Sequence, residues 1–173
     1  MLTIDELSKI IECIMFLSPG PVKIVDIARH LDVEESLVGE AVGRLMSQFE
    51  ERGLEMRAVA GGYELVTRRE YVEHLRTFFG GLDRTRISRA GLETLAIISY
   101  KQPVNRADIE SLRGVNSSGA IKSLLDKGLI RISGRDETLG RPFLFSTTPE
   151  FLSFIGINSI EDLPPIESFD KKT

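Results

Sequence analysis

The chain has 173 residues, 42% apolar and 28% charged, which suits one ordinary hydrophobic core or two small ones and excludes disorder as the main state. No stretch approaches the roughly 20 uncharged apolar residues that a bilayer crossing needs, and the start, Met1 to Glu12, carries acids where a secretory signal wants basic residues. A single cysteine, Cys13, with only His30 and His74 beside it, offers no internal disulfide and no ligand set for zinc or iron. The expectation is a cytoplasmic protein with no membrane association, metal or cofactor.

Charge is uneven. Residues 1–82 hold 9 Lys/Arg against 14 Asp/Glu, net −5, while residues 83–173 hold 13 against 12, net +1. Within the second half, Arg84 to Arg141 has 11 basic and 6 acidic residues, net +5. That stretch is the one place where nucleic acid is electrostatically plausible.

In chain order, Thr3-Ile4-Asp5-Glu6 reads as a capping box opening a first helix, with a one-sided stripe of Ile4, Leu7, Ile10, Ile11, Ile14 and Leu17. Ser18-Pro19-Gly20-Pro21 stops it. Ile24, Ile27, Ala28 and Leu31 suit a short second helix, and Glu34 to Arg52 a third, ended by Gly53. Two strands follow, Leu54 to Ala60 and Tyr63 to Thr67, joined at Gly61-Gly62, a dipeptide free to adopt the positive φ of a tight hairpin. Thr67-Arg68-Arg69-Glu70 is a second capping box before a fourth helix.

The same order then recurs. Pro21-Val22, Asp26-Ile27 and Val33 return as Pro103-Val104, Asp108-Ile109 and Val115 at an offset of 82 residues. Gly53-Leu54 returns as Gly128-Leu129 at 75, and Tyr63, Leu65, Thr67 and Tyr71 as Phe143, Phe145, Thr147 and Phe151 at 80. Constant offsets separated by two steps describe two copies of one unit. The first step removes seven residues between Val33 and Gly53, close to two helical turns, so the third helix is longer in copy one. The second adds five between Leu129 and Phe143, so copy two has the longer hairpin loop. Its helices are expected over Ser88 to Lys101, after an Asn105 cap, and after an Asn116 or Ser117 cap as far as Gly128. Strands Leu129 to Arg135 and Pro142 to Thr147 follow, then a helix opened by Thr148-Pro149-Glu150 and closed by Gly156.

Three helices and a hairpin are the elements of a winged helix-turn-helix domain. The fold expected is therefore α+β, mainly helical, with two tandem winged helix-turn-helix domains over residues 1–80 and 84–163. The joint lies at Gly80-Gly81-Leu82-Asp83, and residues 164–173 read as a flexible tail.

Copy two also carries a distinctive string. Leu92-Glu93-Thr94-Leu95-Ala96-Ile97-Ile98-Ser99-Tyr100-Lys101-Gln102-Pro103 runs on to Arg113-Gly114-Val115-Asn116-Ser117, then Leu129-Ile130, Gly134-Arg135, Gly140-Arg141-Pro142, Thr147-Thr148 and Phe151-Leu152. It resembles the segregation and condensation protein B family, winged-helix subunits of the bacterial condensin complex. The resemblance implies a homodimer formed mainly through the N-terminal domains and a kleisin partner, segregation and condensation protein A. Through that kleisin it implies attachment to a structural-maintenance-of-chromosomes (SMC) ATPase, and so a role in chromosome condensation and segregation at the nucleoid.

The residues themselves point the same way. The third helix of copy one carries Glu34, Glu35, Glu40, Glu50 and Glu51 against Arg44 and Arg52, a face that phosphates would repel. Copy two offers Asn116, Ser117, Ser118 and Lys122, few contacts for a major-groove reader, and Arg131, Arg135 and Arg141 as a basic wing. These arginines fit either solvated surface, an acidic partner segment or a DNA-binding transcription regulator, the last requiring strong salt dependence. Asp136-Glu137-Thr138-Leu139 at the wing centre mixes signs, favouring a protein partner, with Leu139 as an apolar anchor. Tyr100 and Lys101 are further candidates for a partner groove, with a helix-end packing role as the alternative for Tyr100. Leu2, Met15 and Phe16, apolar residues beyond the main stripe, are candidates for the dimer interface, with a place in the domain's own core as the alternative. No Gly-x-x-x-x-Gly-Lys occurs and neither histidine has a nucleophile pattern beside it, so no catalysis is expected.

Overall fold

A computed structural model describes residues 2–79 and 87–165. The expected joint at 80–83 and the tail beyond 165 lie outside the described residues. The chain divides into two compact units, Met1–Leu82 with Gly156–Thr173, and Asp83–Ile155. The sequence places residues 156–163 in the second copy, but they cluster with the first unit, where Ala60 N–H donates to Ile157 O at 3.0 Å.

The first unit runs α1 (Ile4–Leu17), α2 (Ile24–Leu31), α3 (Glu35–Gln48), β1 (Leu54–Val59), β2 (Gly62–Thr67), a 3₁₀ turn (Arg69–Tyr71) and α4 (Val72–Phe78). The capping box at the start of α1 forms in full: Glu6 N–H donates to Thr3 Oγ1 and Thr3 N–H to the Glu6 carboxylate. Leu7, Ile11 and Met15 of α1 pack against Ile27 of α2 and Val38, Val42 and Leu45 of α3. Each such side chain contributes about 1.5–3 kcal/mol by leaving water.

Three expectations shift here. The residues of positive φ in the hairpin are Ala60 and Gly61, one position earlier than expected. This gives the φ pattern of a type I′ turn. Gly62 instead faces the chain: a Cβ there would lie 2.7 Å from Val22 O, where Val22 and Tyr63 exchange a pair of 2.8 Å backbone bonds. The third helix ends at Gln48 rather than Arg52, because Phe49 turns into the core and Arg68 takes the carbonyls beyond the helix end. Its guanidinium donates to Phe49 O, Glu50 O and Arg52 O at 2.7–3.0 Å. The capping box expected at Thr67 does not form, since Arg68 is the residue before the 3₁₀ turn and provides no side-chain cap.

The second unit repeats the order as α5 (Arg89–Lys101), β3 (Val104–Asn105), α6 (Arg106–Arg113), α7 (Ser118–Asp126), β4 (Ile130–Arg135), β5 (Phe143–Thr147) and α8 (Pro149–Ile155). Ile109, the counterpart of Ile27, is likewise buried, as are Leu95, Ile98, Ile121, Leu124 and Phe145 of the same unit. The sheet order is β3-β5-β4, antiparallel throughout. The two length changes land as expected: α3 has 14 residues and α7 has 9, while residues 136–142 replace a two-residue turn. Among the described residues no helix is long and apolar enough to cross a membrane.

Candidate partner-binding site

The hairpin of the second unit is built around one irregularity. Ile132 pairs with Phe145 and Gly134 with Leu144, so Ser133 is an extra residue on β4. A bulge of this kind re-aims the residues that follow it. Arg135, which simple alternation would put on the face of Arg131 and Ser133, pairs instead with Phe143 and shares its face. The guanidinium lies 4.2 Å from the Phe143 ring centroid and donates to Arg141 O at 3.1 Å. A cation over an aromatic face at this range is attracted by the ring quadrupole. Arg135 is thus occupied in shaping the wing, while Arg131 stands exposed on the opposite face beside Ser146.

Beyond Arg135 the loop is held by Asp136. Its backbone N–H donates to Pro142 O, and its carboxylate accepts from Thr138 N–H at 3.1 Å and from the Asn105 amide at 3.0 Å. The hydrogen bonds from Thr138 and then Asn105 hold the Asp136 carboxyl below its ordinary value. Asn105 also accepts from Asp108 N–H as the cap of α6, so one amide ties a helix start to the wing. Arg141, at φ 41°, closes a turn onto Thr138 O. Leu139 at that turn is fully exposed, and Ile132 (46% exposed) and Phe143 (44%) extend an apolar strip toward it.

Tyr100 is half-buried at the end of α5 and Lys101 is exposed. The next residue, Gln102, fixes this end to the sheet, its Oε1 accepting from Thr147 N–H (2.7 Å) and Thr147 O–H (2.9 Å). Thr147 is the base of the hairpin, and β5 spans about 16 Å. Tyr100 and Lys101 therefore lie at the base, Arg135, Leu139 and Arg141 toward the tip, and Arg131 between. The six candidates run along the hairpin rather than converge on one pocket.

The outward faces of the helices that would meet DNA carry little positive charge. On α3, Glu35 and Glu40 are exposed and Arg44 is paired to Asp5 at 2.6 Å. On α7, Lys122 is exposed with Asp126 one turn away.

The three dimer candidates do not form a patch. Met15 is 3% exposed and belongs to the core, correcting its expected place on the outer face; an extra methionine beside the stripe is simply a wider buried face. Phe16 is 74% exposed, as is its neighbour Leu17 at 78%. Leu2 is half-buried at the other end of the 14-residue α1, about 20 Å away.

The family model for the segregation and condensation complex subunit ScpB matches residues 9–166. The chain belongs to the segregation and condensation protein B family. A segregation and condensation protein B of Syntrophotalea carbinolica is 45% identical over 170 residues, covering 97% of this chain and 86% of that one. ScpB from Mycobacterium tuberculosis, a solved structure, is 30% identical and covers 91% of this chain and 99% of its own, with TM-score 0.45. A crystallised dimer of a ScpB N-terminal domain complexed with a ScpA peptide is 23% identical over 43% of this chain and 96% of its own, with TM-score 0.41.

Two of the strings that resemble the segregation and condensation protein B family, separated in sequence, meet in the second unit. Arg113, with a side chain only 7% exposed, donates to Glu93 at 3.1 Å and to Ser117 Oγ at 3.0 Å. Ser117 N–H donates to Glu110, which also pairs with Arg106. Arg113, then Arg89, hold the Glu93 carboxyl below its ordinary value. This network locks the turn between α6 and α7. Sequence reading missed it because Glu93 and Arg113 belong to different helices and no local period links them.

Proposed function

We propose that the chain is a non-catalytic adaptor: a homodimer of tandem winged-helix domains that binds the kleisin, segregation and condensation protein A. Through the kleisin it joins an SMC ATPase in a bacterial condensin-like complex, acting in chromosome condensation and segregation in the cytoplasm, at the nucleoid. Residues 1–80 serve dimerisation, with Phe16 and Leu2 as candidates, and residues 84–163 bind the partner along the wing. Tyr100, Lys101, Arg131, Arg135, Leu139 and Arg141 are the candidate contacts.

The observation that carries this reading is family membership over residues 9–166. Surface chemistry agrees with it. A helix face bearing Glu35 and Glu40, with its arginine already paired, does not neutralise phosphates, and affinity for DNA grows with the number neutralised. An apolar strip ending in a fully exposed leucine suits a protein segment better than a duplex.

The test is affinity capture of the tagged protein from its own host after nuclease treatment, with the bound proteins identified by mass spectrometry. A kleisin and an SMC ATPase are expected in the eluate without DNA. Absence of both, with retention that depends on intact DNA, would replace the adaptor by a DNA-binding regulator.

A further inference from the structure

The first unit carries a groove of about 940 Å³ beside the turn between α2 and α3, lined in part by Leu2 and by Glu35 of the acidic α3 face described above. Its floor is apolar: Leu31, Val33 and Leu37 pack one side against the core and present the other to the groove, and Val25 and Leu2 complete the walls. Its rim is acidic. Asp32, Glu34 and Glu35 are all exposed, and none forms an ion pair among the described residues. The one cation on the rim, Arg29, is matched by Asp26 at 3.4 Å.

The local backbone accounts for part of this composition. Asp32 ends α2 at φ 52°, a left-handed position that Asp tolerates, and Glu35 stands in the first turn of α3, where a helix N-terminus favours an anion. Neither reason requires an apolar floor between them. Half-buried leucine and valine side chains open to water along a channel, bordered by three uncompensated carboxylates, are complementary to a chain that is apolar on one side and basic on its margins.

We propose that this groove docks an amphipathic segment of a partner protein, leucine-like side chains on its inner face and Lys or Arg beside them. The site is chemically opposite to the basic wing of the second unit. The inference does not rest on the kleisin reading, since any protein supplying such a segment satisfies it.

Fluorescence anisotropy on the full chain tests it, using three labelled peptides of one length: leucines at helical i, i+3, i+4 spacing with lysines between, the same leucines with glutamates, and the lysine peptide with its leucine spacing scrambled. The patterned lysine peptide is expected to bind. The triple change Asp32→Asn, Glu34→Gln, Glu35→Gln is expected to weaken it about tenfold at low salt, as the loss of three modest charge contacts. Val25→Arg, which fills the groove from a half-exposed position, is expected to weaken it as well, and hydrogen exchange is expected to show protection over residues 25–37. Equal binding of the glutamate or scrambled peptide, or full binding by both variants, would overturn the proposal.

Discussion

In the first unit α3 runs for 14 residues and the hairpin turns on Ala60 and Gly61; in the second, α7 runs for 9 and the hairpin opens into residues 136–142. Both units keep the same inner positions, Ile27 matching Ile109 in burial. The differences fall outside the core, in the helix length and the wing, which are also where charge and exposed apolar area differ. A duplicated scaffold has thus kept its packing and changed its surface: acidic with a groove in one unit, basic with a long wing in the other. Each unit also relies on one arginine. Arg68 gathers the carbonyls beyond α3, and Arg113 locks the α6–α7 turn.

The sharpest way to break the symmetry is Arg113→Ala. Removing the nearly buried Arg113 guanidinium takes one of the two arginine partners of the half-exposed Glu93 and the donor to Ser117 Oγ, and a loss of about 1–2 kcal/mol is expected in the second unit, from lost packing and hydrogen bonds of Arg113. Denaturant unfolding followed by hydrogen exchange should show this loss at α5–α7 while α1–α3 keep their protection. Gly62→Ala strikes the other unit: its Cβ meets Val22 O, and about 2 kcal/mol is expected to be lost there, in the range for overpacked backbone sites. Ala60→Asn should act in the opposite direction, since Asn tolerates positive φ better, raising the first unit's stability by about 0.5 kcal/mol in thermal unfolding.

Acid acts more gently, and on both units. Asp136 and Glu93 both have lowered carboxyl pKa values in the folded chain. Their contribution is fully present above the ordinary carboxylate range and is lost as pH falls through the lowered values. The wing is therefore expected to lose protection as pH falls through this range, as is the start of α1, where the hydrogen bonds with Thr3 lower the Glu6 carboxyl too, and Asp136→Asn is expected to flatten the wing's dependence in an NMR pH titration. The smallest effect on stability belongs to Leu139→Ala. A fully exposed side chain holds nothing in place, so unfolding should shift by less than about 0.5 kcal/mol, while affinity for the kleisin falls.

Local signals were readable wherever a few neighbouring residues decide the outcome. Thr3 and Glu6 form their box, Asn105 caps α6, and Gly128 and Gly156 take positive φ after their helices. The misplacements have distant causes. Gly62 looked like half of a turn because two glycines are adjacent, yet its lack of a side chain answers to Val22, forty residues earlier in the same unit. The Thr67 box fails where Arg68 is engaged with the carbonyls beyond α3, and Met15 turns inward where a wider apolar stripe looked like surplus. Of the candidate site, the wing's location and mixed charge were legible, but the Ser133 bulge that puts Arg135 on Phe143 was not.

Light scattering on size-exclusion chromatography of the purified chain, alone and mixed with the kleisin of the same organism, decides between adaptor and DNA-binding regulator. A dimer is expected alone, and with the kleisin a single larger species that persists without DNA. A monomer that does not co-elute with the kleisin, but is retarded by duplex DNA, would contradict the adaptor reading.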